Sequence, residues 1–390
     1  MPGQHARLSA SSAARWLNCP PSAMLAEQFP DTPSKYAAAG TLAHKLAELK
    51  ARKHFLEPMG PRKFSAALKK LKEDPAWDNG MDAATDVYLD ELKRIAMLYD
   101  EPPFVALEVR VDYSHVAPEG YGTADCVMIA DGNMHIIDYK NGAGVPVEAE
   151  RNPQLMLYAL GALKVYEPIF GDAIQAVGLH IVQPNAGGVK QWGISAWDLY
   201  AWGASVVKTA EEAYNGEGAF NPGPWCDDHF CPARATCTAR ARKMLGFMDE
   251  MEAKPDPALI DNDCIGDILT QAAGLQKWIT ALQDYAFNRA LAGHEVRGFK
   301  LVEGRSSRDW IDQDKAFEAL QERGVPEALL WERKPVTVAG LEKALGKASF
   351  NTDALDLVVK KPGKPALVPN SDKRPAWVPA EAAFKEVTDD

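Results

Sequence analysis

The stretch GTADCVMIADGNMHIIDYK, Gly122–Lys140, decides the fold of this chain. Two apolar runs flank Asp131-Gly132, a dipeptide typical of a two-residue β-hairpin turn. If these two residues are the centre of the turn, Ala130 pairs with Asn133 and the chain continues outward from there in antiparallel register. The pattern therefore predicts a hairpin in which Asp125 lies opposite Asp138.

This register creates an electrostatic problem that a metal ion would solve. Two carboxylates directly across a ladder, with Cβ atoms about 5 Å apart, repel each other unless a cation lies between them. A hard divalent cation with oxygen ligands is the natural partner. Lys140 follows Asp138 by two residues and so projects from the same face of the strand. Two carboxylates, a metal ion and an ammonium group suit phosphodiester hydrolysis.

The segments around the hairpin predict an α/β fold. A helical region extends to about Tyr99, and Phe104–Tyr113 alternates apolar and polar residues as a strand does. An amphipathic helix is predicted over Asn152–Tyr166, and a buried strand over Ala176–Gln183. The resulting order is α-β-β-β-α-β. The segment Gly40–His44 reads as the start of a helix.

The C-terminal half is expected to be mostly helical. A helix over Trp197–Ala213 leads into a cysteine cluster, and Lys254–Pro257 has the composition of a linker. A long helix, about Leu259–Leu291, and a strand, Gly298–Val302, are predicted beyond it. The predicted domains are residues 1–100, a helical region carrying Cys19 and His44; 101–250, the core and cysteine cluster; 258–360, a helical and β accessory region; and 361–390, a flexible tail.

Composition indicates an ordinary globular protein. The 390 residues are 46% apolar and 25% charged, with a net charge of −11. No stretch has the roughly 18 apolar residues of a membrane span, and the first 30 residues lack the apolar run of a signal peptide, so a cytoplasmic location is expected. Nucleic-acid contact must then be locally basic. The candidate is residues 50–72, rich in lysine and arginine, which a solvated helical face would equally explain.

Four short motifs together resemble the RecB-like family of PD-(D/E)XK nucleases. They are Gly40-Thr41-Leu42-Ala43-His44, Gly122-Thr123-Ala124-Asp125, Ile137-Asp138-Tyr139-Lys140, and Gln154 with Tyr158 on the following helix. The resemblance covers about residues 8 to 240. It implies a restriction-endonuclease-like core, with a central mixed sheet flanked by helices.

The same resemblance implies a role for each matching residue. The metal ligands for Mg²⁺ or Mn²⁺ would be His44, Asp125, Asp138 and the backbone carbonyl of Tyr139. The catalytic set would be Asp125, Asp138, Lys140, Gln154, Tyr158 and, as an additional acidic residue, Glu108. Lys140 would assist the attacking water, and Gln154 and Tyr158, four residues apart on one helical face, would buttress the site or contact nucleic acid. Glu108 equally fits a solvated strand position.

The cysteines are read as ligands or core residues, since no secretory signal favours a disulfide framework. Cys19 precedes the core, and Cys226, Cys231 and Cys237 follow it at spacings too wide for a typical zinc ribbon. This split resembles the iron–sulfur staple of AddB-type and CRISPR-adaptation nucleases, which implies a [4Fe–4S] cluster on these four residues. Zinc in the same site, or unrelated core and surface cysteines, are the alternatives. Cys126 and Cys264 are read as small buried hydrophobes.

The expected function is metal-dependent hydrolysis of DNA, as an exonuclease or end-processing enzyme. By resemblance to a phage-associated family, its setting would be recombination or replication beside a single-strand annealing or recombination protein. The alternatives are a non-catalytic DNA-binding scaffold of the same fold and a CRISPR-adaptation-like end-trimming nuclease. No membrane partner is expected, and the sequence does not specify an oligomeric state.

Overall fold

The computed structural model describes residues 6–29, 35–252, 262–302, 312–331, 337–346, 350–352, 354 and 357–358. The chain divides into two compact units, residues 1–289 and 290–390. The expected linker at Lys254–Pro257 and the expected tail from residue 361 lie outside the described residues, and the side chain of Cys264 is likewise not described. Among the described residues, no helix combines the length and the apolar character needed to cross a bilayer.

The first unit contains one five-stranded sheet and the longer helices. The strands are β1 (Phe104–Asp112), β2 (Tyr121–Ala130), β3 (Asn133–Tyr139), β4 (Ala176–Gln183) and β5 (Gly188–Ser195). The helices are α1 (Ala13–Asn18), α2 (Ser22–Ala26), α3 (Lys35–Phe55), α4 (Pro61–Lys72), α5 (Gly80–Ala96), α6 (Pro153–Phe170), α7 (Ala196–Asn215), α8 (Trp225–Asp228), α9 (Thr238–Glu252) and α10 (Asn262–Leu291). Two short 3-10 helices span Ala10–Ser12 and Gly171–Ala173.

In the second unit, the described residues 292–302 form turns and an isolated bridge, and helices follow from residue 313. Its helices are α11 (Gln313–Glu322), α12 (Glu327–Leu330) and α13 (Val338–Leu345). Phe317 on α11 makes an edge contact with Trp331, with ring centroids 5.3 Å apart. The strand predicted over Gly298–Val302 is wrong, because the structure forms only an isolated bridge between Val296 and Phe299 there.

The sheet is mixed, with strand order β1-β2-β3-β4-β5. Only β3 and β4 are parallel, and α6 supplies the crossover that this pairing requires. The expected register of the hairpin is confirmed from Ala130↔Asn133 to Cys126↔Ile137. Asp131 and Gly132 both have positive φ, 47° and 73°, as a type I′ turn demands. The mixed sheet flanked by helices is confirmed as well.

Each face of the sheet covers its own apolar core. On one face Val127, Ile136 and Leu179 pack in a core that includes Leu157 of α6 and Leu199 of α7. On the opposite face a second core joins residues of α3, α5 and the strands, among them Leu46, Tyr88, Leu92, Cys126, Met128, Ile137 and Tyr139. Because the central strands are covered on both sides, polar side chains among them need a specific reason to be there.

Strands β1 and β2 reverse faces at the same level. Leu107 and Cys126 belong to the core under α3 and α5, whereas Ala124 and, partly buried, Val109 pack in the core under α6. Residues two apart on a regular strand share a face, so each strand must turn over between these pairs. The turning point in β1 is Glu108, whose φ of 52° lies in the left-handed region. Its counterpart in β2 is Asp125.

Two further elements differ from the sequence expectation. Strand β5 was not foreseen, because Gly188–Ser195 is a glycine-containing edge strand that carries only a weak apolar alternation. Gly40 does not begin a helix. Helix α3 begins at Lys35, because the alanines at 37–39, the best helix formers, extend it in the N-terminal direction.

Candidate metal and cysteine sites

His44, Glu108 and Asp125 converge where β1 and β2 reverse faces. Each offers one ligand atom, and these three atoms all lie within 4.8 Å of one another. His44 Nδ1 is 3.3 Å from an Asp125 carboxylate oxygen. The group therefore combines one imidazole nitrogen with two carboxylates from three different elements, α3, β1 and β2.

Helix α3 positions His44 beside the sheet. Leu42, Ala43, Leu46 and Ala47 are buried against the core, which leaves the imidazole at the margin of that face, partly exposed. Its ring makes an edge contact with the Tyr139 ring, at 5.5 Å between centroids. Packing of α3 thus fixes the imidazole relative to the end of β3.

The backbone at Glu108 is strained. A non-glycine residue in the left-handed region costs on the order of 1–3 kcal/mol, and such residues cluster at functional sites. The reversal brings the carboxyl group of Glu108 close to the imidazole of His44 and the carboxyl group of Asp125. This strain is the local cost of assembling the group.

Asp125 is held by the backbone of β3. Its Oδ2 accepts a hydrogen bond of 2.8 Å from the backbone N–H of Tyr139. The regular ladder between the hairpin strands ends one step earlier, at Cys126↔Ile137, so this side chain takes over the satisfaction of that N–H. The Tyr139 hydroxyl donates to Asn141, 3.3 Å away. The role of the Tyr139 carbonyl as a metal ligand stays a prediction.

Asp138, Lys140 and Gln154 form a closed polar triangle. Gln154 Nε2 donates to one Asp138 oxygen at 3.0 Å, and Lys140 Nζ donates to Gln154 Oε1 at 3.0 Å. The other Asp138 oxygen, Oδ2, lies 3.0 Å from Lys140 Nζ as an ion pair. Asp138 is only 3% exposed, so this triangle is a buried network at the end of β3.

Tyr158 completes the network from α6. Its hydroxyl is 3.5 Å from Gln154 Nε2. Its ring packs against Gly122, where an added Cβ would come within 2.7 Å of the ring carbon Cε1. The glycine of the Gly122–Asp125 motif therefore leaves room for the tyrosine of the Gln154–Tyr158 motif, which explains why both residue types are needed.

The pKa shifts of three side chains indicate an excess of negative charge at this site. Glu108 is exposed as a residue, yet its carboxyl group is crowded by protein, and this burial together with nearby Asp125 raises its pKa to about 7. Burial also raises the pKa of Asp138, with Asp125 adding to the effect and Lys140 opposing it. Burial lowers the pKa of His44, but the hydrogen bond to Asp125 and the negative charges of Asp125 and Asp138 together outweigh this, and the net shift is upward.

These residues fit a hard divalent cation. Asp138 Oδ2 is buried, and its contact within the described part of the chain is the Lys140 ammonium at 3.0 Å, so a second lone pair of this oxygen can bind a cation. Carboxylate oxygens with one imidazole are ligands that Mg²⁺ and Mn²⁺ accept. Asp138 lies outside the group of three whose ligand atoms are within 4.8 Å of one another. His44, Glu108 and Asp125 would therefore be the inner ligands, with Asp138 beside them.

The four cysteines of the sequence prediction line one pocket. Cys19 directly follows α1, Cys226 lies on α8, and Cys231 and Cys237 come from the segment between α8 and α9. Every cysteine whose side chain is described is free of disulfides. The Asn221 backbone N–H donates to Cys19 Sγ at 3.4 Å.

The scaffold around this pocket is well tied. Arg240, 2% exposed, makes two hydrogen bonds of 2.7 and 3.0 Å to the Asp227 carboxylate. The Trp278 indole on α10 donates to the carbonyl of Ala235. The loop that carries Cys231 and Cys237 is thus held by helices on two sides.

The pocket suits a soft metal centre. Burial raises the pKa of the Cys19 thiol and of the Cys231 thiol, so a cation would be needed to hold them as thiolates. Two residues that line the pocket, Arg15 and Ser22, each have a buried polar atom, Nε and Oγ, with no hydrogen-bond partner among the described residues. Four sulfur donors with spare hydrogen-bond donors beside them fit a sulfur-rich group.

Comparison with known families places the chain. A family described as a protein of unknown function, DUF2800, matches residues 5–375. This chain belongs to the DUF2800 family. A solved structure titled "Crystal structure of SSO0001" is 15% identical, with 51% of this chain and 98% of that chain covered and a TM-score of 0.23. A TM-score of that size carries no argument about the fold.

The DUF2800 match extends over both candidate sites, from Cys19 to Cys237.

A buried polar network between α5 and the sheet was not predicted from the sequence. His180 on β4 lies 3.2 Å from Glu91 on α5, and the His135 and His180 rings share a hydrogen bond of 3.0 Å. Burial opposes ionisation of Glu91, but hydrogen bonds from Arg94 and His180 lower its pKa to about 2.

This network joins α5 to the sheet. Burial and neighbouring His180 lower the pKa of His135 to about 4, so its ring is neutral near pH 7. The Tyr99 hydroxyl lies 2.6 Å from His135 Nε2 and closes the chain of contacts. Two histidines within otherwise apolar strands were the signal that could have revealed it.

Proposed function

We propose that this DUF2800 protein is a divalent-metal-dependent DNA nuclease of the RecB-like PD-(D/E)XK type, acting as an exonuclease or end-processing enzyme. The observation that carries the proposal is the convergence of His44, Glu108 and Asp125 beside the Asp138–Lys140–Gln154 triangle. A histidine, three carboxylates and a lysine around the C-terminal end of β3 are the groups that metal-assisted phosphodiester hydrolysis requires.

Each side chain has a task that its surroundings explain. His44, Glu108 and Asp125 would hold Mg²⁺ or Mn²⁺, which when bound lowers the pKa of water and neutralises phosphate charge. Lys140, half-buried and tied to Gln154 and Asp138, presents an ammonium that can orient the attacking water or offset charge developing on the phosphate. Gln154 fixes the lysine and Asp138 relative to each other, and Tyr158 holds the glutamine.

Helix α4 and its neighbour α3 provide a cationic path for DNA. Lys45 and Lys70 line a groove between these two helices, together with Asp74 and with Arg52, which is paired with Glu48 at 2.6 Å. Other cationic side chains on α4 are exposed, namely Arg62, Lys63, Lys69 and Lys72. Such local charge can bind phosphates although the whole chain carries −11.

One member of the predicted basic stretch does not serve this purpose. Lys50 is 6% exposed, and its ammonium lies 2.7 Å from Asp82 and 2.6 Å from Asp86. It ties α3 to α5 as a buried ion pair. The DNA-facing charge therefore belongs to the exposed lysines of α4 rather than to the whole of residues 50–72.

We also propose that the four cysteines hold a [4Fe–4S] cluster with a structural role, since they join the segment before the core to the segment after it. Anaerobic purification should then give a brown protein with broad absorption near roughly 400 nm, containing iron and acid-labile sulfide. A colourless protein that contains stoichiometric zinc would show that zinc, and not iron, occupies the four-sulfur site.

Digestion of end-labelled DNA tests the nuclease proposal. The purified protein with Mg²⁺ or Mn²⁺ is incubated with linear single-stranded DNA, linear duplex and a covalently closed circle. We expect loss of the linear substrates, with the closed circle intact. Cleavage of the circle would show an endonuclease. Tight binding of DNA without cleavage, with either ion, would favour the non-catalytic scaffold and reject the enzyme.

A further inference from the structure

Two buried hydrogen-bond donors stand unpaired at the cysteine pocket. Three buried side-chain polar atoms lack a hydrogen bond in the part of the chain that the structure describes: Arg15 Nε, Ser22 Oγ and Asp138 Oδ2, the last of which lies 3.0 Å from the Lys140 ammonium as an ion pair. Asp138 belongs to the carboxylate site, whereas Arg15 and Ser22 line the pocket of the four cysteines. An unsatisfied buried donor costs about 1–3 kcal/mol, so two of them on one small pocket need an explanation.

Backbone hydrogen bonds tie both residues to Cys19. The Cys19 backbone N–H donates to the Arg15 carbonyl at 2.8 Å, and the Ser22 N–H donates to the Cys19 carbonyl at 2.9 Å. Arg15 precedes the cysteine by four residues, one helical turn, and so shares its side of the chain. The backbones of Arg15 and Ser22 are therefore fixed relative to that of Cys19, and all three residues line the same pocket.

The charge of Arg15 points in the same direction. Burial lowers the pKa of Arg15, while Cys231, Cys19 and Cys226 act to raise it once they carry charge. A partly buried guanidinium is stabilised by a nearby anion, and the groups that supply negative charge around this one are the thiolates of Cys231, Cys19 and Cys226.

We propose that Arg15 and Ser22 donate N–H···S and O–H···S hydrogen bonds to the iron–sulfur cluster held by the four cysteines, and that Arg15 raises the reduction potential of that cluster. This inference rests on the cysteine-site part of the proposed function. The two unpaired donors then have sulfur acceptors, and no electron-transfer partner is implied.

The physical consequence concerns the reduced form. A [4Fe–4S] centre with four thiolates is anionic when oxidised and gains one more negative charge when an added reductant such as dithionite supplies an electron. Nearby positive charge and hydrogen bonds to sulfur stabilise the more negative state. Removing the guanidinium must therefore make reduction harder.

The test is an EPR-monitored redox titration of the full-length protein purified anaerobically, after iron and acid-labile sulfide have been measured. For Arg15→Gln we expect a reduced-to-oxidised ratio about tenfold lower at a given potential, equivalent to a midpoint about 59 mV lower for one electron. Ser22→Ala should shift the midpoint in the same direction by less. Arg15→Lys, which keeps the charge, should stay nearer to the parent than Arg15→Gln.

Arg234→Gln is the matched control. Arg234 also lines the pocket, but its guanidinium lies over the Phe230 ring at 6.0 Å. We expect a shift less than half that of Arg15→Gln. If Arg15→Gln does not fold, Ser22→Ala and Arg15→Lys carry the test.

The outcomes separate two failures. Stoichiometric zinc without iron in the parent would reject the cluster itself. A full complement of iron and sulfide, with the same midpoint in parent, Arg15→Gln and Ser22→Ala, would keep the cluster and overturn the assignment of these donors. An equal shift in Arg234→Gln would also overturn it, since general charge would then explain the effect.

Discussion

The two sites solve opposite problems of charge. At the carboxylate site three acidic groups are brought together, burial raises the pKa values of Glu108 and Asp138, and Lys140 is the ammonium that pairs with Asp138. At the cysteine site the surplus is on the other side, because Arg15 and Ser22 offer hydrogens that no described group accepts. The carboxylate site therefore has an excess of acceptor groups, and the cysteine site has an excess of donor groups.

The difference also separates hard from soft chemistry. Oxygen and imidazole ligands with partial solvent access suit an ion that exchanges and meets a substrate. Buried sulfur ligands drawn from both sides of the core suit a centre that stays in place. We expect the first site to govern cleavage and the second to govern stability, and the following predictions test that division.

The largest expected effect is at Asp138. Asp138→Asn should lower the rate of DNA cleavage by about 10³-fold, equivalent to about 4 kcal/mol of transition-state stabilisation. The fold should survive, because a neutral amide in this buried position relieves the burial that raises the pKa of the acid. Cleavage of linear DNA and the thermal midpoint are the measurements.

Asp112→Asn is the control for that variant. Asp112 is an exposed acid on β1 that pairs with Lys164 at 3.1 Å. We expect unchanged cleavage. Full activity in Asp138→Asn, or equal loss in both variants, would contradict the assignment of Asp138.

A smaller effect, on stability, is expected at the cysteine site. Cys19→Ala should remove the bound centre and lower the free energy of unfolding by more than about 3 kcal/mol, because binding energy of a structural metal centre is folding energy. Cys126→Ala, at a fully buried cysteine outside the pocket, should cost only about 1 kcal/mol and keep all the iron. Denaturant unfolding and iron content check both. Loss of iron in Cys126→Ala would break the distinction.

Glu108 should separate stability from function. Glu108→Gly relieves the left-handed backbone and should raise the free energy of unfolding by about 1 kcal/mol, while cleavage falls because a metal ligand is gone. Asp131 also has a left-handed backbone, at the turn of the hairpin, so Asp131→Gly should relieve the same kind of strain and leave cleavage unchanged. A Glu108→Gly protein with full activity would remove Glu108 from the ligand set.

The smallest effect is expected on helix α4. Lys70→Gln should weaken DNA binding by a few-fold and reduce the slope of log affinity against log salt by about one. Lys164→Gln, at an exposed lysine of α6 paired with Asp112, is the control and should bind as the parent does. Equal slopes in parent and Lys70→Gln would place the DNA elsewhere.

Local signals made the hairpin predictable. Its turn type, its register and the shared side of Asp138 and Lys140 follow from one dipeptide and a period of two, and Gln154 with Tyr158 follows from helical spacing. The mixed sheet required only the order of elements plus the resemblance. These features depend on neighbours in sequence, which a pattern can record.

Features that depend on long-range contacts were either not predicted from the sequence or predicted only from the family resemblance. The reversal at Glu108 depends on two strands turning over together, and nothing near Glu108 in the sequence marks it. Cys19 and Cys226 line one pocket although the whole core lies between them, and spacing alone cannot show that. The unpaired state of Arg15 and Ser22 is a property of packing, so it had no sequence signal.

The most direct test of the account is a calorimetric titration of Mn²⁺ into the anaerobically purified protein and into Asp125→Asn. We expect the parent to bind one Mn²⁺ ion per chain at the carboxylate site and Asp125→Asn to lose that binding. The iron content should be the same in both proteins. No Mn²⁺ binding in the parent, or the same binding in the variant, would contradict the claim that His44, Glu108 and Asp125 together hold the ion that cleaves DNA.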